Sequence, residues 1–178
     1  MHRRLWLVLI VMLMSGCGWH LQAVRPLPSE FLPVYLKLTD THSVFARTLQ
    51  QGLESAGIAL TTDVSRAGAV LAVTQDQSNR QISSVSAFNQ PQQYQIDYQV
   101  EYRFDRQDNG VQSSPNLATV QLIPAQKISA SRTMSYDVTL ALGKDREAWA
   151  IEVLLAEQLT QQILRRLNYL PVASQSAH

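Results

Sequence analysis

The chain has 178 residues, of which 46% are apolar and 16% charged, whereas an average soluble protein carries roughly 25% charged residues. Its polarity comes instead from neutral side chains, with nineteen Gln and sixteen Ser. The 15 Lys and Arg against 14 Asp and Glu exclude a polybasic nucleic-acid-binding protein, and the single cysteine excludes an intrachain disulfide framework or a cysteine-cluster metal site.

The N-terminus carries the signals of an exported lipoprotein. Arg3 and Arg4 precede ten consecutive apolar residues, 5–14. A permanent transmembrane helix needs about twenty such residues, so this run predicts a secretory signal peptide over residues 1–16. The sole cysteine, Cys17, follows Ser15 and Gly16, and the stretch resembles the lipobox of bacterial lipoproteins. We predict cleavage before Cys17 and its lipidation; the alternative is an ordinary signal peptide with a coincidental cysteine.

The residues after Cys17 predict a lipid anchor followed by a tether. Stable membrane attachment takes two or more acyl chains, which a lipidated N-terminal cysteine supplies. By resemblance to sorted bacterial lipoproteins, Gly18 in place of an Asp implies the outer membrane. Residues 17–33 contain Pro26, Pro28 and Pro33 and predict an extended tether. Loss of Arg3 and Arg4 leaves 13 of the 15 basic side chains against 14 acidic ones, a nearly neutral mature chain.

The first half of the mature chain predicts a strand, a helix and two strands. Alternating apolar residues indicate a strand over 33–38, and Thr41 or Ser43 caps a helix that runs to about Ala56 and stops at Gly57. The apolar run 68–74 predicts a buried strand. Residues 76–79 have the composition of a turn, and 80–88 predict a further Ser-rich strand.

The second half begins with the clearest periodicity of the chain. Over residues 93–105, aromatic and aliphatic side chains alternate with polar ones, which predicts a long strand with one packed and one wet face. Residues 108–110 predict a turn, 111–124 a loop with some strand character, and 125–136 a strand. Residues 145–167 predict the longest helix, with Trp149 and Val153 on its apolar stripe. Residues 171–178 are expected to be a disordered tail.

This order of elements predicts one α+β domain over residues 34–170. Two helices should pack on one face of a mostly antiparallel sheet of four to five strands. The Gln-rich face of the long strand should then be left without helical cover.

The sequence offers no catalytic constellation. The motifs of serine hydrolases, zinc proteases and nucleotide-binding loops are absent. Asp97, Glu101 and Asp105 share one strand face but follow each other at about 13 Å, too far apart for a paired acid and base, so we expect a solvated face. His42 lies at a helix start, where a surface or capping role is favoured. We therefore predict no enzyme, no cofactor and no metal site.

One basic position stands out, directly ahead of the long helix. Lys144 follows Gly143 there, and a helix N-terminus favours anions such as phosphate or carboxylate. The alternative is an ordinary solvated loop lysine with Asp145 as N-cap, and physical reasoning alone favours that alternative.

Three stretches resemble the outer-membrane LPS-assembly lipoprotein LptE family. The first is the start of the mature chain, Cys17-Gly18-Trp19-His20-Leu21; the second is Tyr94-Gln95, which opens the long strand; the third is Leu142-Gly143-Lys144-Asp145 ahead of a helix ending in Gln162-Ile163-Leu164-Arg165-Arg166-Leu167. The resemblance implies two helices on a four-stranded sheet. It also implies a subunit of the LPS translocon that plugs and helps assemble the LPS-translocating outer-membrane β-barrel protein, LptD-like, and binds lipopolysaccharide.

The resemblance also implies residues for LPS. Lys144 matches a basic family position that contacts the lipid A phosphates or inner core. Arg132 matches another basic position, where a structural ion pair is the alternative. The turn at residues 87–92 lacks the basic residue that relatives can carry, for which Arg80 compensates only weakly. Two other classes stay open: a free-standing periplasmic lipoprotein that binds a ligand or scaffolds the cell envelope, and a lipid-anchored hydrolase.

Overall fold

The computed structural model describes residues 27–107, 119–136 and 141–170. Two helices, α1 (Val44–Ser55) and α2 (Ala141–Asn168), pack against each other and on one face of a sheet. Short 3-10 helices cover Ser29–Phe31 and Val64–Arg66. The strands of the sheet are β1 (Val34–Lys37), β2 (Leu60–Thr61), β3 (Ala69–Val85), β4 (Pro91–Gln107) and β5 (Thr119–Ser135).

The sheet is mixed, with the strand order β2-β1-β3-β4-β5. β1 runs parallel to both β2 and β3, because α1 and the segments around it form crossover connections. The long strands β3, β4 and β5 are antiparallel to their neighbours. The predicted α+β fold of two helices on one face of the sheet is confirmed, and the short parallel strands refine the expectation of a mostly antiparallel sheet.

Local signals fix α1 as predicted. The Ser43 side chain is the N-cap, and its Oγ accepts a hydrogen bond from the Ala46 N–H at 2.9 Å. Gly57 follows the helix with a φ of 75°, a left-handed conformation that glycine adopts without strain. Between these ends, Phe45, Leu49 and Leu53 are buried against the sheet.

Strand β3 corrects the prediction of a turn at residues 76–79. These residues pair continuously with β4, from Asp76 opposite Val100 to Asn79 opposite Asp97, and the register shifts of this strand pair lie outside them, around Thr74 and between Ile82 and Val85. Gln77, Ser78 and Asn79 are exposed to solvent and Asp76 accepts hydrogen bonds from other elements, so their polarity does not mark a reversal of the chain. β5 begins at Thr119, so 119–124, predicted as a loop with some strand character, belong to the strand, while 108–118 lie outside the described residues.

Helix α2 begins earlier than predicted, and the predicted apolar stripe is buried over its C-terminal half but not at Trp149. Because it starts at Ala141, Lys144 and Asp145 belong to the helix, and Asp145 is not its N-cap. Trp149, predicted on the buried stripe, is 58% exposed; the small Ala148 faces the core in its place, which lets the helix lie closer to the sheet. The buried positions of α2 are Ala148, Leu155, Ala156, Leu159, Thr160, Ile163, Leu164 and Leu167.

The core lies between the helices and the apolar face of β4. The predicted alternation of this strand is confirmed, since its apolar face is buried from Ile96 to Phe104. The Phe31 ring meets the Phe104 ring edge-on, with 6.0 Å between the ring centroids. A Cβ at Gly52 would lie 2.6 Å from Thr160 Cγ2, so the glycine sets how closely α1 and α2 approach.

Candidate functional site

The face of the sheet opposite the helices is a wide surface of neutral polar side chains, here named the polar face. The strand registers align Gln77, Gln99 and Ser129 in one row across three strands, and Asn79, Asp97 and Ser131 in the next. Its members are Gln75, Gln77, Asn79 and Gln81 on β3, Gln93, Gln95, Asp97, Gln99 and Glu101 on β4, and Lys127, Ser129, Ser131, Thr133 and Ser135 on β5. Both described helices pack on the other face, so in the described ranges the polar face has no helical cover, as predicted.

Hydrogen bonds within the polar face hold its few charges. Asp97 accepts from Gln81 Nε2 at 3.0 Å and from Gln95 Nε2 at 2.7 Å. Glu101 and Lys127, of opposite charge, are register partners. A shallow concavity of about 390 Å³ is lined by Gln77, Asn79, Gln81, Asp97 and Gln99. Because a carboxamide both donates and accepts hydrogen bonds, such a surface can pair with donors and with acceptors on a polar partner surface.

Asp105 departs from the solvated strand face expected from the sequence. This carboxylate is only 5% exposed and pairs with Arg103 Nε at 3.2 Å. Because Asp105 is buried near the end of β4, we interpret its ion pair with Arg103 as part of the fold rather than as part of a functional site. The carboxylates Asp97, Glu101 and Asp105 therefore do not act as a group.

Two of the predicted basic residues lie in one row on the helix side of the sheet. Arg80 is opposite Ile96, and Ile96 is opposite Arg132. Neighbouring strands are about 4.8 Å apart, so the backbones of the two arginines are separated by about 10 Å. Arg132 is exposed, and Arg80 is partly exposed.

The third predicted basic residue lies in the first turn of α2, not ahead of it. Lys144 Nζ contacts Glu147 Oε2 at 2.7 Å, and its side chain is 16% exposed. The next residue, Asp145, contacts Arg80 Nη1 at 3.5 Å. The structure thus brings Arg80 to the start of α2, where it contacts the residue that follows Lys144, with Arg132 across the same sheet face. These three residues are here named the basic corner, and Cys17 lies outside the described residues.

A buried polar network joins the helix side of β3 and β4 to the start of α1. Asp76 accepts hydrogen bonds from the Ser43 hydroxyl and, at 2.8 Å, from the Tyr98 hydroxyl. Burial, with a further contribution from Asp76, raises the pKa of Tyr98 well above its ordinary value. Burial also raises the pKa of Tyr102, although Arg166 opposes the shift. Both hydroxyls therefore stay neutral, and the Tyr98 hydroxyl serves the fold through its hydrogen bond to Asp76.

No cluster of three or more His, Cys, Asp or Glu side chains able to hold a metal ion occurs among residues 27–107, 119–136 and 141–170. Within those ranges no helix is long and apolar enough to span a membrane. The candidate functional surfaces of the domain are therefore the polar face and the basic corner.

A family model described as lipopolysaccharide-assembly LptE matches residues 31–167. The chain belongs to the LptE family. Relatives named LPS-assembly lipoprotein LptE include those of Pectobacterium atrosepticum, 26% identical over 93% of this chain and 85% of the relative, and Yersinia enterocolitica, 23% identical over 93% and 76%. The LptE family is non-enzymatic, so the prediction that the protein is not an enzyme is confirmed, and membership makes the protein an LPS-assembly lipoprotein of the cell envelope.

Solved structures share this fold of the LptE family. Lipoprotein B from Nitrosomonas europaea superposes with a TM-score of 0.64 at 19% identity, over 85% of this chain and 90% of the other. Rare lipoprotein B from Shewanella oneidensis gives a TM-score of 0.58 at 19% identity, over 75% and 92%. At this identity the likeness concerns the fold alone.

The breadth of the polar face was missed from the sequence. The β4 part was predicted, but β3 contributes four residues and β5 five more. A signal was present: Gln75, Gln77, Asn79 and Gln81 alternate at strand spacing. Interpreting 76–79 as a turn concealed it.

Proposed function

We propose that the protein is the outer-membrane lipoprotein subunit of the LPS translocon. In this role it plugs the LPS-translocating β-barrel, an LptD-like partner, assists the assembly of that barrel, and binds LPS for insertion in the outer leaflet. Membership of the LptE family supports the proposal at the level of LPS assembly. The observation that carries its specific form is the polar face.

The physical argument rests on what a barrel lumen is made of. The interior of an outer-membrane barrel is polar and hydrated. A plug pressed against such a wall loses stability wherever a charge is buried without a partner. The polar face meets this condition, because most of its side chains are neutral and Asp97 already accepts two amide hydrogen bonds. Its carboxamides and hydroxyls can exchange hydrogen bonds with water for hydrogen bonds with the wall.

The basic corner supports the LPS-binding part of the proposal. Lipid A carries phosphates, and Arg and Lys bind phosphate through charge-assisted hydrogen bonds. Lys144, Arg132 and Arg80 lie at one end of the domain, on the side of the sheet away from the polar face. The barrel wall and LPS would thus occupy different surfaces.

The N-terminal part of the proposal assigns residues 1–16 to a signal peptide and Cys17 to the lipid anchor in the outer membrane. Cys17→Ala should block acylation and give a mis-sorted precursor. The fold should persist, because Leu27 and Phe31, the first described residues buried in the core, follow Cys17 by at least ten residues. Acyl-labelled protein from this variant would refute the anchor.

The barrel interface is tested by placing charge on the polar face. Gln95→Glu with Gln99→Glu should change the free energy of unfolding of the purified protein by about 0.5 kcal/mol or less, since surface substitutions are mild. The same pair should lower the co-purification of the barrel from solubilised outer membranes. The matched control is Gln158→Glu with Gln161→Glu, two exposed positions on α2.

The outcomes separate the candidate functions. Barrel recovery lowered by the polar-face pair but not by the α2 pair supports the plug. Equal recovery with both pairs would mean that the polar face is not the contact. Recovery of the unsubstituted protein without any barrel would instead favour the free-standing periplasmic lipoprotein.

LPS binding is tested at the basic corner with barrel binding measured on the same samples. Lys144→Asp removes a charge-assisted contact of roughly 1.5–3 kcal/mol, so LPS capture should fall about ten- to a hundredfold, and less at high salt. Lys37→Asp, at the exposed last residue of β1, is the matched control. Unchanged LPS capture with Lys144→Asp would exclude this lysine from the site, whereas loss of barrel binding as well would indicate a disrupted helix start.

A further inference from the structure

The outer end of the β3–β4 hairpin exposes an unusual concentration of apolar side chains. Ile82 is 52% exposed, Val85 50% and Phe88 86%. These residues, here named the apolar tip, lie within one seven-residue stretch, and Phe88 is the most exposed large hydrophobic side chain of the described ranges. Single exposed apolar side chains are ordinary, but several so close together indicate a contact surface.

The turn that carries Phe88 is well defined by hydrogen bonds. The Ser86 N–H donates to the Gln90 carbonyl at 2.8 Å, and the Asn89 N–H donates to the Ser86 carbonyl at 3.0 Å. The Ser86 hydroxyl accepts from the Phe88 N–H at 3.2 Å, and Asn89 adopts a φ of 58°, which Asn tolerates well. The ring is therefore presented to solvent by an organised turn.

One member of the apolar tip, Ile82, follows the basic corner along the same face of the sheet, and Val85 and Phe88 lie beyond it toward the end of the hairpin. Arg80, Ile96 and Arg132 form one row across the three strands. The next row on that face, about 6.6 Å further out by strand geometry, is Ile82, Tyr94 and Met134. Tyr94 packs edge-on against Tyr136, with 5.0 Å between ring centroids. Tyr94 is also the register partner of Ile82, so the aromatic pair lies next to Ile82. The row with the basic side chains is thus followed directly by a row of apolar and aromatic side chains.

This order matches the chemistry of an anionic amphiphile, in which phosphate groups sit next to hydrocarbon chains. We propose that the apolar tip contacts the acyl chains of the LPS molecule whose phosphates bind the basic corner. This inference rests on the proposed LPS-binding function and extends it from the headgroup to the chains. The competing occupant is a loop of the partner barrel. The row of basic side chains next to the apolar surface favours LPS, because LPS carries phosphates beside its acyl chains.

The experiment compares two probes on the mature protein purified in detergent: deep-rough LPS, and the phosphorylated oligosaccharide left after complete removal of its acyl chains. Phe88→Ser with Ile82→Ser should lower capture of the acylated probe about tenfold, equivalent to 1.4 kcal/mol. Capture of the deacylated probe should not change. Tyr169→Ser, an exposed aromatic at the end of α2, is the matched control and should alter neither.

The remaining outcomes distinguish this inference from the proposed function. Equal capture of acylated LPS by the tip variant and the unsubstituted protein would overturn the acyl-chain contact while leaving the headgroup site intact. Loss of barrel co-purification with unchanged LPS capture would overturn it in favour of a barrel loop. Failure of the unsubstituted protein to capture either probe would remove LPS binding itself, and the inference with it.

Discussion

Asp76 offers the sharpest test of how the fold is held together. Its carboxylate accepts hydrogen bonds from Ser43, the cap of α1, and from Tyr98 in the middle of β4. Tyr98 is only 3% exposed, so Asp76→Ala leaves a buried hydroxyl without this acceptor. Hydrogen bonds to charged groups contribute about 1.5–3 kcal/mol, and an unsatisfied buried donor costs about 1–3 kcal/mol. Because these two figures describe overlapping effects, we expect Asp76→Ala to lower the free energy of unfolding by about 2–4 kcal/mol.

Equilibrium denaturation in urea measures this loss directly. The midpoint should move to lower urea with an unchanged slope, because the native state keeps its compactness. Asp76→Asn, which retains one acceptor oxygen, should lose less. In a double-mutant cycle with Tyr98→Phe, the two losses should overlap by about 0.5–3 kcal/mol. Strict additivity, or a loss below about 0.5 kcal/mol for Asp76→Ala, would refute the network as a source of stability.

Three further perturbations follow from the structure. The pKa of Tyr98 is raised in the folded state from an ordinary value of 10.0. The stability that its neutral hydroxyl contributes is therefore complete below pH 10.0 and is lost as the pH rises toward the folded pKa. Tyr98→Phe should remove part of this alkaline loss, measured as the difference between the free energies of unfolding at about pH 8 and about pH 11. Gly68→Ala would place a Cβ 2.8 Å from the Glu30 carbonyl oxygen and the Phe31 carbonyl carbon, and we expect thermal unfolding to show a loss of about 1–3 kcal/mol. Asp145→Asn frees Arg80 from a surface pair of about 0.2–1 kcal/mol, so LPS capture should rise about 1.4- to fivefold; unchanged capture would exclude Arg80 from the site.

The sequence was sufficient wherever a structure is specified locally. Ser43 and Gly57 mark the ends of α1 because a cap and a left-handed glycine act within a few residues. The face of β4 was equally clear, since strict alternation between Ile96 and Phe104 has one structural meaning. The polar side of the same strand predicted the uncovered face of the sheet.

Features that depend on distant partners were not accessible in the same way. Residues 76–79 have turn composition, and only their pairing with β4 makes them a strand. The exposed face of α2 depends on where the small Ala148 meets the sheet, which periodicity alone does not reveal. The row that contains Arg80 and Arg132 exists because two separate strand registers align through Ile96, a long-range arrangement with no local signal.

The outer half of β3 differs from the rest of the sheet in what holds it in place. Residues 77–83 are all exposed, whereas Ile96 and Tyr98 opposite them are buried. A strand that buries neither face keeps its register mainly through backbone hydrogen bonds, and these open more readily than bonds beneath a core. Amide protons at the end of the hairpin should therefore exchange faster than those around Phe104. We therefore expect a slowly exchanging base and a hairpin arm whose hydrogen bonds open locally, without unfolding of the core.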